Sequence, residues 1–225
     1  MKVLGRLRGR LIASCQPVDG GPMDRPEIVA AMAQASVAGG AAGLRVEGVG
    51  NLRRARPLVD VPIIGIVKRD IPGSPVRITV TVGDVNDLIA AGADIVAYDA
   101  TPRPRTDPRD DILAAIIAGG AIAMADCATF ADGQEALKRG AAIIGTTLSG
   151  YTSETARADE RPDLDLIRRF RKLGGFVMAE GRFNTPDLAA QAIGAGADAV
   201  TVGSALTRLE MVTRWFADAV RGSDD

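Results

Sequence analysis

Lys68 is the first candidate catalytic residue of this chain. It follows directly on Ile63-Ile64-Gly65-Ile66-Val67, an apolar run typical of a buried parallel strand. Side chains alternate along a strand, so Lys68 shares a face with Ile64 and Ile66. A lysine partly withdrawn from water there has its pKa lowered from about 10.4 toward about 7–8, the range that suits a general base. A solvated lysine at a strand end is the alternative, and these residues alone leave it open.

Two later apolar runs end in residues suited to binding a phosphate group. One is followed by Glu180-Gly181-Arg182 and the other by Gly203-Ser204. Glycine lets backbone N–H groups approach an anion, Arg182 can donate charge-assisted hydrogen bonds, and Ser204 can cap the helix that follows. We therefore expect Gly181, Arg182, Gly203 and Ser204 to form a phosphate site between two neighbouring strand ends.

Polar residues also follow the other apolar runs of the chain. They are Gln16, Arg45, Glu47, Asp70, Asp99, Asp126, Thr146 and Thr147. A strand end is where any chain turns polar, yet charges that abut buried strands need partners or cost several kcal/mol. In an α/β barrel the carboxyl ends of the strands carry the active site. These residues are therefore predicted to surround one site.

The chain contains no histidine and only two cysteines, Cys15 and Cys127. This composition excludes Ser-His-Asp and Cys-His catalysis, and it excludes zinc sites that need imidazole. Proton chemistry must then use Lys, Asp, Glu, Tyr or Cys side chains. We expect no metal and no cofactor, and we interpret both cysteines as small buried hydrophobic residues.

The elements that must position these residues follow one repeat: an alanine-rich helical stretch, a glycine stop and a short apolar run. Glycine just past a helix end adopts the left-handed conformation that closes the helix. The predicted strands are Leu11–Cys15, Gly43–Val46, Ile63–Val67, Ile95–Tyr98, Ala121–Met124, Ala141–Ile144, Phe176–Met178 and Ala199–Val202. The predicted helices are Arg25–Val37, Leu52–Val59, Asp84–Ala90, Pro108–Ala118, Ala131–Lys138, Pro162–Leu173, Thr185–Ile193 and Ser204–Val220.

Eight alternating β and α units predict a parallel sheet, because each crossover must be long and right-handed. The count favours a closed (β/α)₈ TIM barrel, with residues 1–225 as a single domain. The structural alternative is an open doubly wound sheet. Its dinucleotide-binding form needs Gly-x-Gly-x-x-Gly, and Gly48-Val49-Gly50 lacks the third glycine.

Composition narrows the class of protein. The net charge of −1 indicates no nucleic-acid partner. No apolar run reaches the roughly 18 residues that span a bilayer, and Ile12–Cys15 lacks the apolar stretch of a lipoprotein signal. We expect a cytoplasmic protein with no membrane partner. Trp215 and Phe216 are interpreted as packing a terminal helix or a subunit contact, so a homodimer is left open.

The strand-end segments resemble those of the N-acetylmannosamine-6-phosphate 2-epimerases of bacterial sialic-acid breakdown, which are (β/α)₈ barrels. The resemblance covers nearly the whole chain, and its most specific segments are GTTLSGYT at 145–152 and AEGRFNTP at 179–186. The other matching segments are 43–48, 65–70, 78–81, 99–101, 125–129 and 202–208.

The resemblance implies conversion of N-acetylmannosamine 6-phosphate to N-acetylglucosamine 6-phosphate in amino-sugar catabolism. It implies that Lys68 moves the proton at C2 of an N-acetylhexosamine 6-phosphate and that Glu180 is the acid beside it. It also implies that four residues hold the sugar: Gln16, Arg45, Asp126 and Arg208. Arg208, which falls inside a predicted helix, has no support from the strand-end pattern.

The chain departs from the family at two places. Residues 70–75 replace an expected aromatic after the aspartate, and Leu209 stands where proline is usual. These departures bear on specificity more than on the type of reaction. Two other functions remain open: another phosphate-binding barrel enzyme, such as a synthase or an aldolase using Lys68 as a Schiff base, and a non-catalytic regulatory barrel.

Overall fold

The computed structural model describes residues 2–156 and 161–222 and shows a closed eight-stranded barrel. Each strand pairs in parallel with the next, and β8 closes the ring on β1. The strands are β1 (Arg10–Cys15), β2 (Gly43–Glu47), β3 (Ile63–Ile66), β4 (Ile95–Asp99), β5 (Ile122–Asp126), β6 (Ile143–Gly145), β7 (Phe176–Glu180) and β8 (Ala199–Val202). The predicted barrel is confirmed, and the open sheet is excluded.

Helices surround the barrel and connect its strands. They are α1 (Lys2–Leu7), α2 (Pro26–Ala38), α3 (Val49–Ala55), α4 (Val82–Ala90), α5 (Arg109–Ala118), α6 (Phe130–Lys138), α7 (Leu164–Arg171), α8 (Pro186–Gly194), α9 (Ser204–Thr207) and α10 (Leu209–Arg221). None of them, within the described residues, combines the length and apolar character needed to cross a bilayer.

One helix was not predicted, and two predicted helices differ from those in the structure. Helix α1 was not predicted; its Leu7 is fully buried against the interior of the barrel, so it closes the amino ends of the strands. The predicted helix Leu52–Val59 begins earlier and ends in a 3₁₀ turn at Arg56–Leu58, where Pro57 supplies no N–H to continue an α-helix. The predicted helix Ser204–Val220 is broken at Arg208, whose φ of −105° and ψ of 80° are not helical.

The core lies in two layers. Side chains such as Ile12, Ile64 and Met178 point into the barrel and fill its interior, while a larger cluster packs between the strands and the helices. Cys15 and Cys127 are free and buried in that outer cluster, as predicted. This rigid frame fixes the position of every residue that stands at a strand end.

Candidate active site

A cavity of about 420 Å³ opens at the carboxyl ends of the strands. Eleven of the predicted site residues line it: Gln16, Arg45, Lys68, Asp99, Thr147, Glu180, Gly181, Arg182, Gly203, Ser204 and Arg208. The lining also includes Ser14 and Thr201, which lie deeper in the barrel. The barrel therefore brings together residues that are far apart in the sequence.

Lys68 stands just past β3, where the chain leaves the sheet and forms an isolated antiparallel bridge to Ile78. Burial lowers the pKa of its ammonium, and the neighbouring cations Arg208 and Arg45 lower it further. Asp19 and Glu47 act in the opposite direction. A lysine with a lowered pKa holds more neutral amine near pH 7, which is the form that accepts a proton.

Arg45 forms the buried centre of the site. It is 1% exposed, and its guanidinium donates to both carboxylate oxygens of Asp126 at 3.2 and 2.6 Å. Its Nη1 also lies 3.1 Å from Oε2 of Glu180, so this one guanidinium is ion-paired with two carboxylates. Burial opposes the charge of Arg45, but Asp126 and Glu180 together raise its pKa above the ordinary value.

Glu180 is the second carboxylate that is ion-paired with Arg45. Burial raises its pKa to about 7, and repulsion from Asp126 adds to this, while Arg45 and Lys68 oppose the rise. Near neutral pH this carboxyl therefore exists as both acid and carboxylate, which is the state that a group exchanging protons needs.

Asp126 was predicted to bind substrate, but it does not line the cavity. It is fully buried behind Arg45, and its Oδ1 also accepts a hydrogen bond of 2.6 Å from Thr147. Thr147 does line the cavity, so Asp126 reaches any ligand through Arg45 and Thr147. The last residue of a strand can face either the cavity or the interior beneath it, and sequence position does not separate the two.

Arg182 has partners that the sequence did not reveal. Its guanidinium donates to the carbonyl oxygens of Ser149 and Gly150 at 2.9 Å each and lies 4.0 Å from the centre of the Tyr151 ring. Gly150 has a φ of 80°, a conformation that favours glycine, and a Cβ there would come within 2.6 Å of Arg182 Nη1 and displace the guanidinium. Arg182 thus holds the loop after β6 against the cavity.

Gln16 and Arg208 meet at the junction of β1 and the last helices. Arg208 Nε donates to the carbonyl oxygen of Gln16 at 3.0 Å, and Thr207 Oγ1 donates to that of Ser14 at 2.6 Å. These contacts accompany the break between α9 and α10 and leave Arg208 lining the cavity. The helix pattern alone could not have placed it there.

Loop residues form the rest of the cavity wall, and most of them were not predicted from the polar residues at the strand ends. Arg103 lines the cavity and donates to Asp99 Oδ2 at 2.6 Å, while Ser74 Oγ donates to the carbonyl oxygen of Pro104 at 2.8 Å. The loop that departs from the family pattern is therefore fastened to the loop after β4. The other lining loop residues are Pro75, Arg77, Ile78, Leu148, Tyr151, Phe183 and Asn184.

The cavity carries a positive excess, with five arginines and Lys68 in its lining against the carboxylates of Asp99 and Glu180. Among the described residues, the buried atoms Arg45 Nε and Thr201 Oγ1 there have no hydrogen-bond partner, and Glu180 Oε2 has its ion pair with Arg45 but no hydrogen bond. Within those residues, no three His, Cys, Asp or Glu side chains cluster as metal ligands. The arrangement suits an anionic ligand that also carries hydroxyl groups.

Comparisons with known proteins agree in sequence and in structure. The model of the family described as "Putative N-acetylmannosamine-6-phosphate epimerase" matches residues 29–222. A protein named "Putative N-acetylmannosamine-6-phosphate 2-epimerase" from Pasteurella multocida (strain Pm70) is 57% identical over 222 residues, covering 99% of this chain and 96% of that protein. A protein of the same name from Haemophilus influenzae is 55% identical with the same coverage. The solved N-acetylmannosamine-6-phosphate 2-epimerase of Clostridium perfringens is similar with a TM-score of 0.92 and 36% identity, covering 96% of this chain and 95% of that one.

Proposed function

The chain belongs to the family of N-acetylmannosamine-6-phosphate 2-epimerases, and from this premise we propose that it interconverts N-acetylmannosamine 6-phosphate and N-acetylglucosamine 6-phosphate. The observation that carries the proposal is the pairing of Lys68 and Glu180 in one cavity, with the pKa of the amine lowered and that of the carboxyl raised. Such an isomerase would supply amino-sugar catabolism.

The proposed reaction is a proton transfer at C2 of the open-chain sugar. The C1 aldehyde acidifies the C2–H bond; the neutral amine of Lys68 takes the proton, and the electron pair of that bond forms the C1=C2 bond of an enol. Protonated Glu180 donates to the developing oxygen anion and takes that proton back when C2 is reprotonated. The Lys68 ammonium gives up a proton to the opposite face of C2, which yields the other epimer and restores the neutral amine, so that atoms and charge balance.

Proton NMR of the purified protein with N-acetylmannosamine 6-phosphate in D₂O tests this function. We expect the product to carry deuterium at C2, because the proton removed exchanges with solvent before return. Epimerisation with protium fully retained at C2 would contradict proton abstraction. Borohydride added during turnover separates the aldolase alternative, because a Schiff-base lysine would become covalently labelled.

We also propose that the substrate phosphate binds between β7 and β8. Gly181 and Arg182 both have positive φ, 103° and 62°, so the backbone turns sharply at the end of β7 toward the cavity. Gly203 and Ser204 line the same wall at the start of α9. Backbone N–H groups and arginine at such a turn suit a phosphate dianion.

Arg182→Ala is expected to raise KM for the sugar phosphate, with a loss of roughly 1.5–3 kcal/mol, as for a charge-assisted contact. Inorganic phosphate should compete with substrate in the unchanged protein and compete less well in the variant, which inhibition kinetics would measure. The control is Arg168→Ala, on the exposed side of α7. Unchanged affinity for both anions in Arg182→Ala would place the phosphate at another part of the cavity.

The partner and location of the protein are further proposals. No residue of α10 is buried, and Trp215, Phe216 and Val220 on it are exposed. This apolar surface supports a homodimer; sedimentation velocity tests it, and a purely monomeric species would contradict it.

Free cysteines at positions 15 and 127 support a cytoplasmic location, which cell fractionation tests.

A further inference from the structure

Glu47 is a carboxylate beside Lys68 that the proposed reaction does not use. It is the last residue of β2, it pairs with Ile66 of β3, and its side chain is partly buried. It does not belong to the lining of the cavity. Asn51 Nδ2 donates to its carbonyl oxygen at 2.8 Å, which fixes the end of the strand.

Strand β2 leaves the sheet immediately after Glu47. Gly48 donates its N–H to the carbonyl oxygen of Ile66 at 2.9 Å and then, with a φ of 87°, turns the chain into α3. The next main-chain donor along that edge of β3 is Lys68, and its N–H donates to Glu47 Oε1 at 3.2 Å. A side-chain oxygen thus takes the place that the next carbonyl of the strand would hold in a continued ladder.

The charged groups that face Lys68 come from several elements. Arg45 of β2 and Arg208 after α9 disfavour its ammonium, whereas Asp19 of the loop after β1 and Glu47 favour it. Glu180 of β7 also interacts with it. Asp19 has the larger effect of these two carboxylates on the pKa of Lys68, but at 68% exposed it is screened by water, whereas Glu47 is partly buried and also contacts the Lys68 main chain.

We propose that Glu47 is a positioning residue for Lys68. Its carboxylate holds the main chain from which the Lys68 side chain enters the cavity, and its charge counters the field of Arg45 and Arg208 at the ammonium. Only the consequence for turnover rests on the proposed function, since the placement and the charge effect exist without substrate.

Two variants separate these effects. Glu47→Gln keeps an acceptor oxygen and removes the charge, while Glu47→Ala removes both. The chain has four lysines, so NMR of lysine side chains labelled with ¹³C and ¹⁵N can follow the titration of each one, with Lys68→Ala to assign its signal. We expect the Lys68 midpoint at lower pH in both variants, because the opposing arginines are less compensated. Glu47→Ala should also lose about 10- to 100-fold in kcat through misplacement of the amine, and Glu47→Gln should recover most of it.

Glu135→Gln is the matched control, since Glu135 pairs with Arg139 on α6. It should leave both the Lys68 titration and kcat unchanged. An unchanged Lys68 midpoint in Glu47→Gln would overturn the charge effect, and full kcat in Glu47→Ala would overturn the positional effect. If Glu47→Ala does not fold, the titration of Glu47→Gln still tests the charge effect, and kcat of Glu47→Met, which fills the space without an acceptor oxygen, tests the positional effect in its place. Failure of the proposed function would appear separately, as absence of epimerisation by the unchanged protein.

Discussion

Replacing Lys68 by alanine is expected to lower kcat for epimerisation by about 10²–10⁴-fold, with a much smaller change in KM. The reason is chemical: the chain has no histidine, and among the described residues that line the cavity Lys68 is the only lysine. Its lowered pKa gives it the neutral amine that proton abstraction needs. Initial rates of product formation, measured with a coupled assay over a range of substrate concentrations, give kcat and KM separately.

Lys68→Arg provides the sharper control for this prediction. Arginine keeps the positive charge but stays protonated at all working pH values, so it cannot act as the base. We expect it to be about as inactive as alanine, while Lys172→Ala, at an exposed position after α7, should behave as the unchanged protein does. Substantial turnover in Lys68→Ala would show that another group removes the C2 proton.

Strand periodicity explains why the barrel and most of its site could be predicted from the sequence. In a parallel barrel every strand directs its carboxyl end to the same rim, so the polar residues within or just after the apolar runs included Gln16, Arg45, Lys68 and Glu180, which line the cavity. A local pattern and one topological rule are enough to place such residues wherever position along a strand determines which way a side chain faces.

The features that the sequence did not reveal depend on contacts between distant segments. Arg182 is held by two carbonyls of another loop, and Arg208 sits at a helix break that accompanies hydrogen bonds to Ser14 and Gln16. Asp126 lies behind Arg45, although it ends a strand as the lining residues do. No local pattern encodes such pairings, because each forms only after the barrel has closed.

Replacing Arg45 by methionine is expected to lower the free energy of unfolding by about 3–5 kcal/mol, the cost of breaking a buried ion pair. Arg45 is 1% exposed and is ion-paired with both Asp126 and Glu180, so its loss leaves two carboxylates buried beside each other. The loss should be smaller at pH 5 than at pH 8, because protonation of a carboxyl removes one of the uncompensated charges. Urea unfolding at the two pH values measures both quantities.

A double variant shows whether charge burial, and not lost packing, causes this effect. Adding Asp126→Asn to Arg45→Met removes one buried charge, so the double variant should be more stable than Arg45→Met alone, above all at pH 8. Arg139→Met, which breaks exposed pairs with Glu135 and Asp110, should cost at most about 1 kcal/mol. If the double variant is as unstable as Arg45→Met at both pH values, the guanidinium stabilises the barrel through its packing and not through compensation of the two carboxylates.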